Sequence, residues 1–187
     1  GFIMFKREEI IPKPNNNLDE KLKKLWEIHF KKRHESEKKY YDFDLDFIKN
    51  LRNQIIINDN KEFNGLEVLN FIKSIDADAC FIQGCPIIKD PILSLLPSYS
   101  INLHLGLIPY YKGSITTFWP FYYLEPGMLG TTYHIIDKYV DTGEIIHQNV
   151  PNLKYGDTIH DASCKALLSA LSDIDLVVDE IINRKKN

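Results

Sequence analysis

Apolar runs typical of β-strands alternate along the chain with segments in which apolar residues recur at helical spacing. The runs predict strands at 1–6, 54–58, 77–83, 100–105, 131–136 and 144–148. The helical spacing predicts helices at 18–40, 66–75, 116–124 and 157–183, the last as one long closing helix. This alternation predicts an α/β domain with a Rossmann-like, doubly wound and mainly parallel sheet.

Length and composition indicate one folded domain over residues 1–187. Of the 187 residues, 44% are hydrophobic and 12% are aromatic, which is enough apolar side chain to bury a core. The net charge of −3 and the pI of about 6.1 argue against a general nucleic-acid-binding protein, which normally carries a basic excess. We therefore expect no nucleic-acid partner.

Membrane insertion and metal binding find no support in the sequence. No run approaches the roughly 20 apolar residues that a membrane span needs. The three cysteines, Cys80, Cys85 and Cys164, lack the C-x-x-C spacing of a zinc ribbon and do not suggest a disulfide framework. Because no signal-peptide pattern opens the chain either, we expect a cytoplasmic protein without a metal site and without a membrane partner.

Two polar residues at the end of a predicted strand are the first candidates for chemistry. Asn102 and His104 point to the same side, because side chains alternate along a strand. An amide donor beside an imidazole can stabilise a developing oxyanion, and the imidazole can also move protons. A pair of this kind is more often purely structural, so a third group is needed.

Asp141 is the candidate for that third group, in a polar loop between two predicted strands. A carboxylate placed there can be aimed across a crevice and can orient an imidazole. The run Asp141-Thr142-Gly143 is also good turn chemistry. The residues alone leave both interpretations open.

Five motifs between Gly84 and Tyr155 occur together in the order and spacing of one protein family. They are Asn102-Leu103-His104, Gly106-Leu107-Ile108-Pro109-Tyr110-Tyr111-Lys112-Gly113, Phe118-Trp119, Gly130-Thr131-Thr132-Tyr133-His134 and Val140-Asp141-Thr142-Gly143-Glu144-Ile145-Ile146-His147-Gln148. This segment resembles the folate-dependent formyltransferase family. Methionyl-tRNA formyltransferase, glycinamide ribonucleotide transformylase and the sugar N-formyltransferases are members of that family.

The resemblance implies a catalytic trio of Asn102, His104 and Asp141 that acts on N10-formyltetrahydrofolate. An amine would attack the formyl carbon, while Asn102 and protonated His104 would stabilise the tetrahedral oxyanion. Asp141 would hold His104 and assist proton transfer. Neither a metal ion nor a covalent intermediate is implied. His134 also matches a family position, and its expected role is that of a hydrogen-bonded histidine supporting the site.

The folate pteridine is implied to lie against the backbone of two segments, 84–88 and 136–141. The implied cofactor-binding residues are Gly84, Cys85, Pro86, Ile87, Ile136 and Val140. For the side chains of Ile87 and Val140, an ordinary place in the core is an equally good interpretation.

The acceptor is implied to be the primary amine of a small molecule. The loop before Phe118-Trp119 looks most like that of the sugar N-formyltransferases, which act on nucleotide-linked amino sugars. The candidate acceptor-binding residues are Lys112, Gly113 and Trp119. Lys112 stands where the family more usually has arginine, which keeps the charge but loses bidentate geometry. Trp119 and its aromatic neighbours suit either a stacking platform or the core.

One departure from the family pattern keeps alternatives open. In relatives, a first strand, a helix and a second strand precede the segment that 1–6 resembles, so we expect an N-terminally incomplete fold whose exposed strand pairs with other chains, as a homodimer or by aggregation. Three alternatives to a sugar N-formyltransferase remain. They are a glycinamide ribonucleotide transformylase, a formyltetrahydrofolate deformylase that activates water with the same trio, and a truncated, noncatalytic relative that binds or assembles.

Overall fold

Strands and helices alternate along the chain, as the hydrophobic pattern predicts. The computed structural model describes residues 1–6, 11–41 and 50–186. The strands are β1 (Phe2–Phe5), β2 (Gln54–Ile57), β3 (Ala79–Ile82), β4 (Tyr99–His104), β5 (Thr131–Ile135) and β6 (Ile145–Asn149). The helices are α1 (Glu20–Tyr40), α2 (Leu66–Lys73), α3 (Trp119–Tyr122), α4 (Ile159–Ser172) and α5 (Ile174–Lys186).

The strands form two sheets. β1 and β2 pair in parallel as a two-stranded sheet. The other four strands follow the order β3-β4-β5-β6, with β3 parallel to β4 and with antiparallel pairing between β4 and β5 and between β5 and β6. The predicted α/β class is confirmed, and antiparallel pairing is confined to the two ladders that involve β5.

The faces of β4 are divided between core and site. Ile101 and Leu103 point toward α4 and α5, where they join a buried cluster with Tyr133, Ala170 and Val177. The Tyr133 hydroxyl donates to the carbonyl oxygen of Ala170 at 2.9 Å, which satisfies the one polar atom that this ring buries. Because side chains alternate, Asn102 and His104 face the opposite side, away from the helices.

Two helices differ from their predicted extents. The predicted closing helix is interrupted at Asp173, whose carboxylate accepts hydrogen bonds from His147 Nε2 at 2.8 Å and from Asn149 Nδ2, both on β6. α3 is shorter than predicted, because Thr116 donates its hydroxyl to Leu105 O and Leu124 takes a left-handed φ of 59° that ends the helix. Both differences arise from contacts between residues that are distant in sequence or from backbone conformation.

The starts of α1 and α4 follow ordinary capping chemistry. Asp19 accepts a hydrogen bond from the backbone of Leu22 and begins α1. Thr158 and Asp161 form a reciprocal capping box at the start of α4. None of the helices in the described ranges is long and apolar enough to cross a membrane.

Candidate active site

The antiparallel pairing of β4 with β5 adds polar residues of β5 to the sheet face that carries Asn102 and His104. Asn102 lies directly opposite His134, and His104 lies opposite Thr132. Directly opposed residues of paired strands share one face of the sheet, so two histidines and an amide come together there. His104 and His134 are 6% and 3% exposed, which makes both of them buried polar groups that need partners.

His134 is oriented by two hydrogen bonds. Its Nδ1 lies 2.9 Å from the carbonyl oxygen of Ile135, and since a carbonyl only accepts, Nδ1 carries the proton. Its Nε2 is then the acceptor for Asn102 Nδ2, at 3.1 Å. This leaves the second N–H of the Asn102 amide available to another group.

His104 has an acceptor at each ring nitrogen. Nε2 lies 2.7 Å from the carbonyl oxygen of Tyr111, and Nδ1 lies 3.4 Å from Asp141 Oδ2. Since a carbonyl oxygen only accepts, Nε2 carries a proton and donates it to Tyr111 O, while Nδ1 faces the Asp141 carboxylate. Gly106 makes room for this contact, because a Cβ there would lie 2.5 Å from Tyr111 O and 2.7 Å from His104 Nε2.

Asp141 is held by backbone conformation as well as by its partners. Its φ is 51°, in the left-handed region that aspartate tolerates better than most residues. Oδ2 accepts a 2.7 Å hydrogen bond from the amide of Gly113, and Oδ1 lies 3.4 Å from His134 Nε2. Asp141 therefore lies beside both histidines, with Oδ2 facing His104 and Oδ1 facing the acceptor nitrogen of His134.

Hydrogen bonds within the loop that carries Asp141 fix its conformation. Asp137 accepts hydrogen bonds from the amide of Tyr139 at 2.9 Å and from the hydroxyl of Thr142 at 2.8 Å. Gly143 is required for close packing, because a side chain there would collide with the carbonyl oxygen of Ile135. This loop therefore forms a hydrogen-bonded turn and also places Asp141 beside the two histidines.

A cavity of about 140 Å³ opens beside this cluster, and we call it the site cavity. Its wall includes Asn102, His134 and Asp141, together with five of the predicted cofactor-binding residues: Cys85, Pro86, Ile87, Ile136 and Val140. Gly84, the sixth, does not line it and has a left-handed φ of 62° at the start of the segment. His104 does not line it either and lies behind Asp141. Burial raises the pKa of the Cys85 thiol to about 11, so this cysteine stays neutral.

The predicted acceptor-binding residues lie in different surroundings. Lys112 is exposed, and Gly113 donates its backbone amide to Asp141. Trp119 lies in a cluster with Phe118, Tyr122 and Tyr123, all of them more than a third exposed. These four aromatic side chains are thus a surface feature, whereas Phe121 packs against the buried cluster of Leu129, Ala162 and Ala166.

His134 is the residue whose part in the site the sequence understated. The sequence suggested a supporting histidine, and the structure places it between Asn102 and Asp141 on the cavity wall. The signal that would have placed it there is the antiparallel register of β5 against β4, which no local pattern specifies. In the described ranges, no group of three or more histidine, cysteine or acidic side chains is arranged to hold a metal ion.

Fold and site together define an α/β domain in which two buried histidines, a buried aspartate and a half-buried asparagine lie beside a small cleft. The family model for formyl transferases matches residues 31–168, and the chain belongs to this family. The resemblance seen in the sequence motifs is therefore confirmed.

Individual relatives agree with this assignment. A methionyl-tRNA formyltransferase from Desulforamulus reducens is 37% identical over 73 residues, which cover 39% of this chain and 23% of that protein. The chain thus matches less than a quarter of this curated relative.

Solved structures support the fold. The phosphoribosylglycinamide formyltransferase of Streptococcus pneumoniae matches with a TM-score of 0.61 and 16% identity, over 97% of this chain and 98% of that one. The formyltransferase PseJ from Anoxybacillus kamchatkensis, solved in complex with UDP-4,6-dideoxy-4-formamido-L-AltNAc and tetrahydrofolate, matches with a TM-score of 0.53 and 19% identity, over 96% and 77%. A 4-N formyltransferase from Francisella tularensis matches with a TM-score of 0.56 and 23% identity, over 74% and 54%.

Proposed function

We propose that the chain transfers a formyl group from N10-formyltetrahydrofolate to a primary amine. The observation that carries this proposal is the convergence of Asn102, His134 and Asp141 on the site cavity, with His104 paired to Asp141 behind them. Membership of the formyl transferase family supplies the reaction class. The PseJ structure, which contains tetrahydrofolate, supports a folate donor.

The formyl-folate donor would place its pteridine ring in the site cavity. The site cavity of about 140 Å³ is smaller than the roughly 300–1,000 Å³ of a typical small-molecule site, so we expect it to take the pteridine and to leave the rest of the folate outside. Ile87 and Val140 are more than half exposed on its rim and offer apolar contact to that ring. Backbone groups of segments 84–88 and 136–141 would provide the hydrogen bonds.

Asn102 is the group that would stabilise the oxyanion. When the amine attacks the formyl carbon, negative charge develops on the formyl oxygen, and the free N–H of the Asn102 amide can donate to it. The Nε2–H of His104 is already donated to Tyr111 O, and its Nδ1 faces Asp141. His104 therefore acts here as a positioning residue that faces Asp141 from behind the reacting groups.

Asp141 would take the proton that the attacking amine must lose. Its Oδ2 already accepts from Gly113 and faces His104, so Oδ1 is the oxygen left to react. Once protonated, Oδ1 faces the acceptor nitrogen of His134 at 3.4 Å, which gives the proton a second position. The C–N bond to the folate then breaks, and the proton is available to the leaving folate nitrogen.

The acceptor we favour is a nucleotide-linked amino sugar. Trp119 and Tyr123 lie nearly parallel, with ring centroids 6.1 Å apart, and both are exposed, which suits stacking on a base or a sugar. The loop that supplies Gly113 to the site leads directly into this aromatic cluster. The structure of PseJ, which shares the fold, contains a nucleotide-linked formamido sugar and supports this class of acceptor.

A calorimetric titration with a stable formyl-folate analogue tests the donor site without requiring the right acceptor. Saturable binding that Val140→Asp weakens is expected. Absence of binding by the folded chain would contradict the proposal.

The acceptor is tested by mass spectrometry after incubation with N10-formyltetrahydrofolate. Nucleoside-diphosphate 4-amino sugars, glycinamide ribonucleotide and buffer alone form the panel. We expect the amino sugar to gain one CO. Formylation of glycinamide ribonucleotide would reassign the acceptor, and formate release without any amine would identify a deformylase instead.

A further inference from the structure

The loop at residues 107–113, which we call the bridging loop, contacts both His104 and Asp141. The carbonyl oxygen of Tyr111 accepts from His104 Nε2 at 2.7 Å, and the amide of Gly113 donates to Asp141 Oδ2 at 2.7 Å. Asp141 Oδ2 is also the oxygen that faces His104 Nδ1, at 3.4 Å. The position of the bridging loop therefore decides how the His104 ring and the Asp141 carboxylate face each other.

The first half of the bridging loop is held by the sheet. The amide of Ile108 donates to Thr132 Oγ1 at 3.1 Å, and Ile108 O accepts from Gln148 Nε2 at 2.9 Å. Thr132 lies on β5 and Gln148 on β6. Tyr111 is three residues further along the loop and only half-buried, and its amide donates to Leu107 O within the loop at 2.9 Å. Its position therefore depends more on what its side chain contacts.

The side chain of Tyr111 connects the bridging loop to the segment that follows α3. Its hydroxyl donates to Glu125 Oε2 at 2.7 Å. Glu125 is itself held in a turn, because its amide donates to Pro120 O at 2.7 Å and its carbonyl oxygen accepts from the amide of Met128 at 2.8 Å. A hydrogen bond from a hydroxyl to a carboxylate is stronger than one between neutral groups. Glu125 thus gives Tyr111 a fixed and strong acceptor.

The same hydroxyl lies beside the exposed aromatic cluster that contains Trp119. The hydrogen bond to Glu125 raises the pKa of Tyr111 to about 12, and the nearby Tyr123 adds to this shift. The hydroxyl therefore keeps its proton at neutral pH and remains a donor. Tyr111 contacts the His104 ring through its backbone and, through its side chain, the segment that carries the aromatic cluster.

We propose that Tyr111 is a positioning residue for formyl transfer and that Glu125 holds it in place. The hydrogen bond between them fixes Tyr111 O, which orients the His104 ring, and that ring faces Asp141. This inference rests on the proposed function for its kinetic consequence, because Asp141 is there the group that takes the proton. A shift of about 1 Å in the position of such a group can cost about a hundredfold in rate.

Exchange of the His104 Nε2 proton with water measures this positioning without catalysis. The proton is donated to Tyr111 O and the ring is 6% exposed, so exchange requires the contact to open. NMR of the chain labelled with ¹⁵N-histidine follows the signal, which is assigned by proximity to the α-protons of Gly106. Tyr111→Phe and Glu125→Ala should each speed exchange about tenfold, near the lower end of what a hydrogen bond to a charged group contributes.

The chain offers a matched control and a conservative variant. Tyr110→Phe makes the same chemical change one residue earlier, at a side chain that is 74% exposed, and should leave the exchange rate unchanged. Glu125→Gln keeps an oxygen that can accept from the Tyr111 hydroxyl and should retain most of the protection. The double variant Tyr111→Phe/Glu125→Ala should exchange no faster than either single variant, because both changes remove the same hydrogen bond.

Formyl-transfer kinetics distinguish positioning from contact with the acceptor. Tyr111→Phe should lower kcat about tenfold and leave KM for the acceptor nearly unchanged, because Trp119 and Tyr123 are still present. Glu125→Gln should keep most of kcat. A raised KM with an unchanged kcat would overturn the proposal, because Tyr111 would then bind the acceptor instead of orienting His104.

Two exchange results would also overturn it. One is a rate in Tyr111→Phe equal to that in Tyr110→Phe. The other is additive acceleration in the double variant, which would mean that Tyr111 and Glu125 act separately. These rates are measured without substrate, so they decide whether Tyr111 positions His104 even if the unchanged chain transfers no formyl group and the proposed function fails.

Discussion

Replacing Asp141 with asparagine removes one charge from the site and keeps the shape of the side chain. Asparagine also tolerates the left-handed φ of 51° at this position, so the loop should survive the change. What is lost is the carboxylate that lies 3.4 Å from His104 Nδ1, with both side chains more than nine-tenths buried. The variant therefore isolates the charge from the fold.

The expected magnitude follows from the role of Oδ1 as the proton acceptor. An asparagine amide keeps the shape of the side chain but cannot take a proton from the attacking amine. Proton transfer by one positioned side chain typically contributes about 10²–10⁴ in rate, so we expect kcat for formyl transfer to fall by about 10²–10⁴.

The assay is release of tetrahydrofolate in the presence of the acceptor that the panel identifies. Asp175→Asn is the matched control, because it makes the same chemical change at an exposed position in the first turn of α5. KM for the donor and the thermal unfolding temperature should stay close to those of the unchanged chain. A kcat for Asp141→Asn that equals that of the control would refute the role given to Asp141.

Three further variants test other parts of the structure. Asn102→Ala should lower kcat at least about a hundredfold while calorimetric binding of the folate analogue persists, because it removes the oxyanion donor. Gly143→Ala should destabilise the fold by about 1–3 kcal/mol in thermal unfolding, because its side chain meets a backbone carbonyl, whereas Gly127→Ala, with open space around it, should not. Burial acts to raise the pKa of Asp161, but hydrogen bonds from Thr158 outweigh it and hold the pKa at about 2. Since an unfolded aspartate titrates near about 3.9, this stabilisation is complete above that pH and is lost as the pH falls toward 2, so Asp161→Asn should flatten the pH dependence of the unfolding free energy over that range.

The elements of the fold were largely predictable because their signals are local. The apolar runs gave each strand to within two residues at either end, and β4 was predicted at 100–105 against Tyr99–His104 in the structure. The interruption of the closing helix at Asp173 depends on His147 and Asn149, more than twenty residues earlier. Periodicity within the helix carries no information about such partners.

The sequence predicted which residues form the site but not how they are placed relative to one another. The i, i+2 relation of Asn102 and His104 follows from the strand alone, and Asp141 was a candidate from its loop. The sequence did not predict which histidine lines the cavity. In the structure, His104 faces Tyr111 O and Asp141, and His134 forms part of the cavity wall. That arrangement depends on the register between β4 and β5, which is a non-local property.

This register is the feature on which the whole site rests. A slip of one residue in β5 would exchange His134 for Tyr133 on the polar face and would turn an apolar ring out of the core. Thr132 opposes such a slip, because its buried hydroxyl donates to Gly106 O at 2.7 Å and accepts from the amide of Ile108 at 3.1 Å. Gly106 is also the residue whose missing side chain lets His104 reach Tyr111 O. One hydroxyl therefore ties the strand pairing that supplies His134 to the turn that orients His104, so the two histidines are positioned by the same contact.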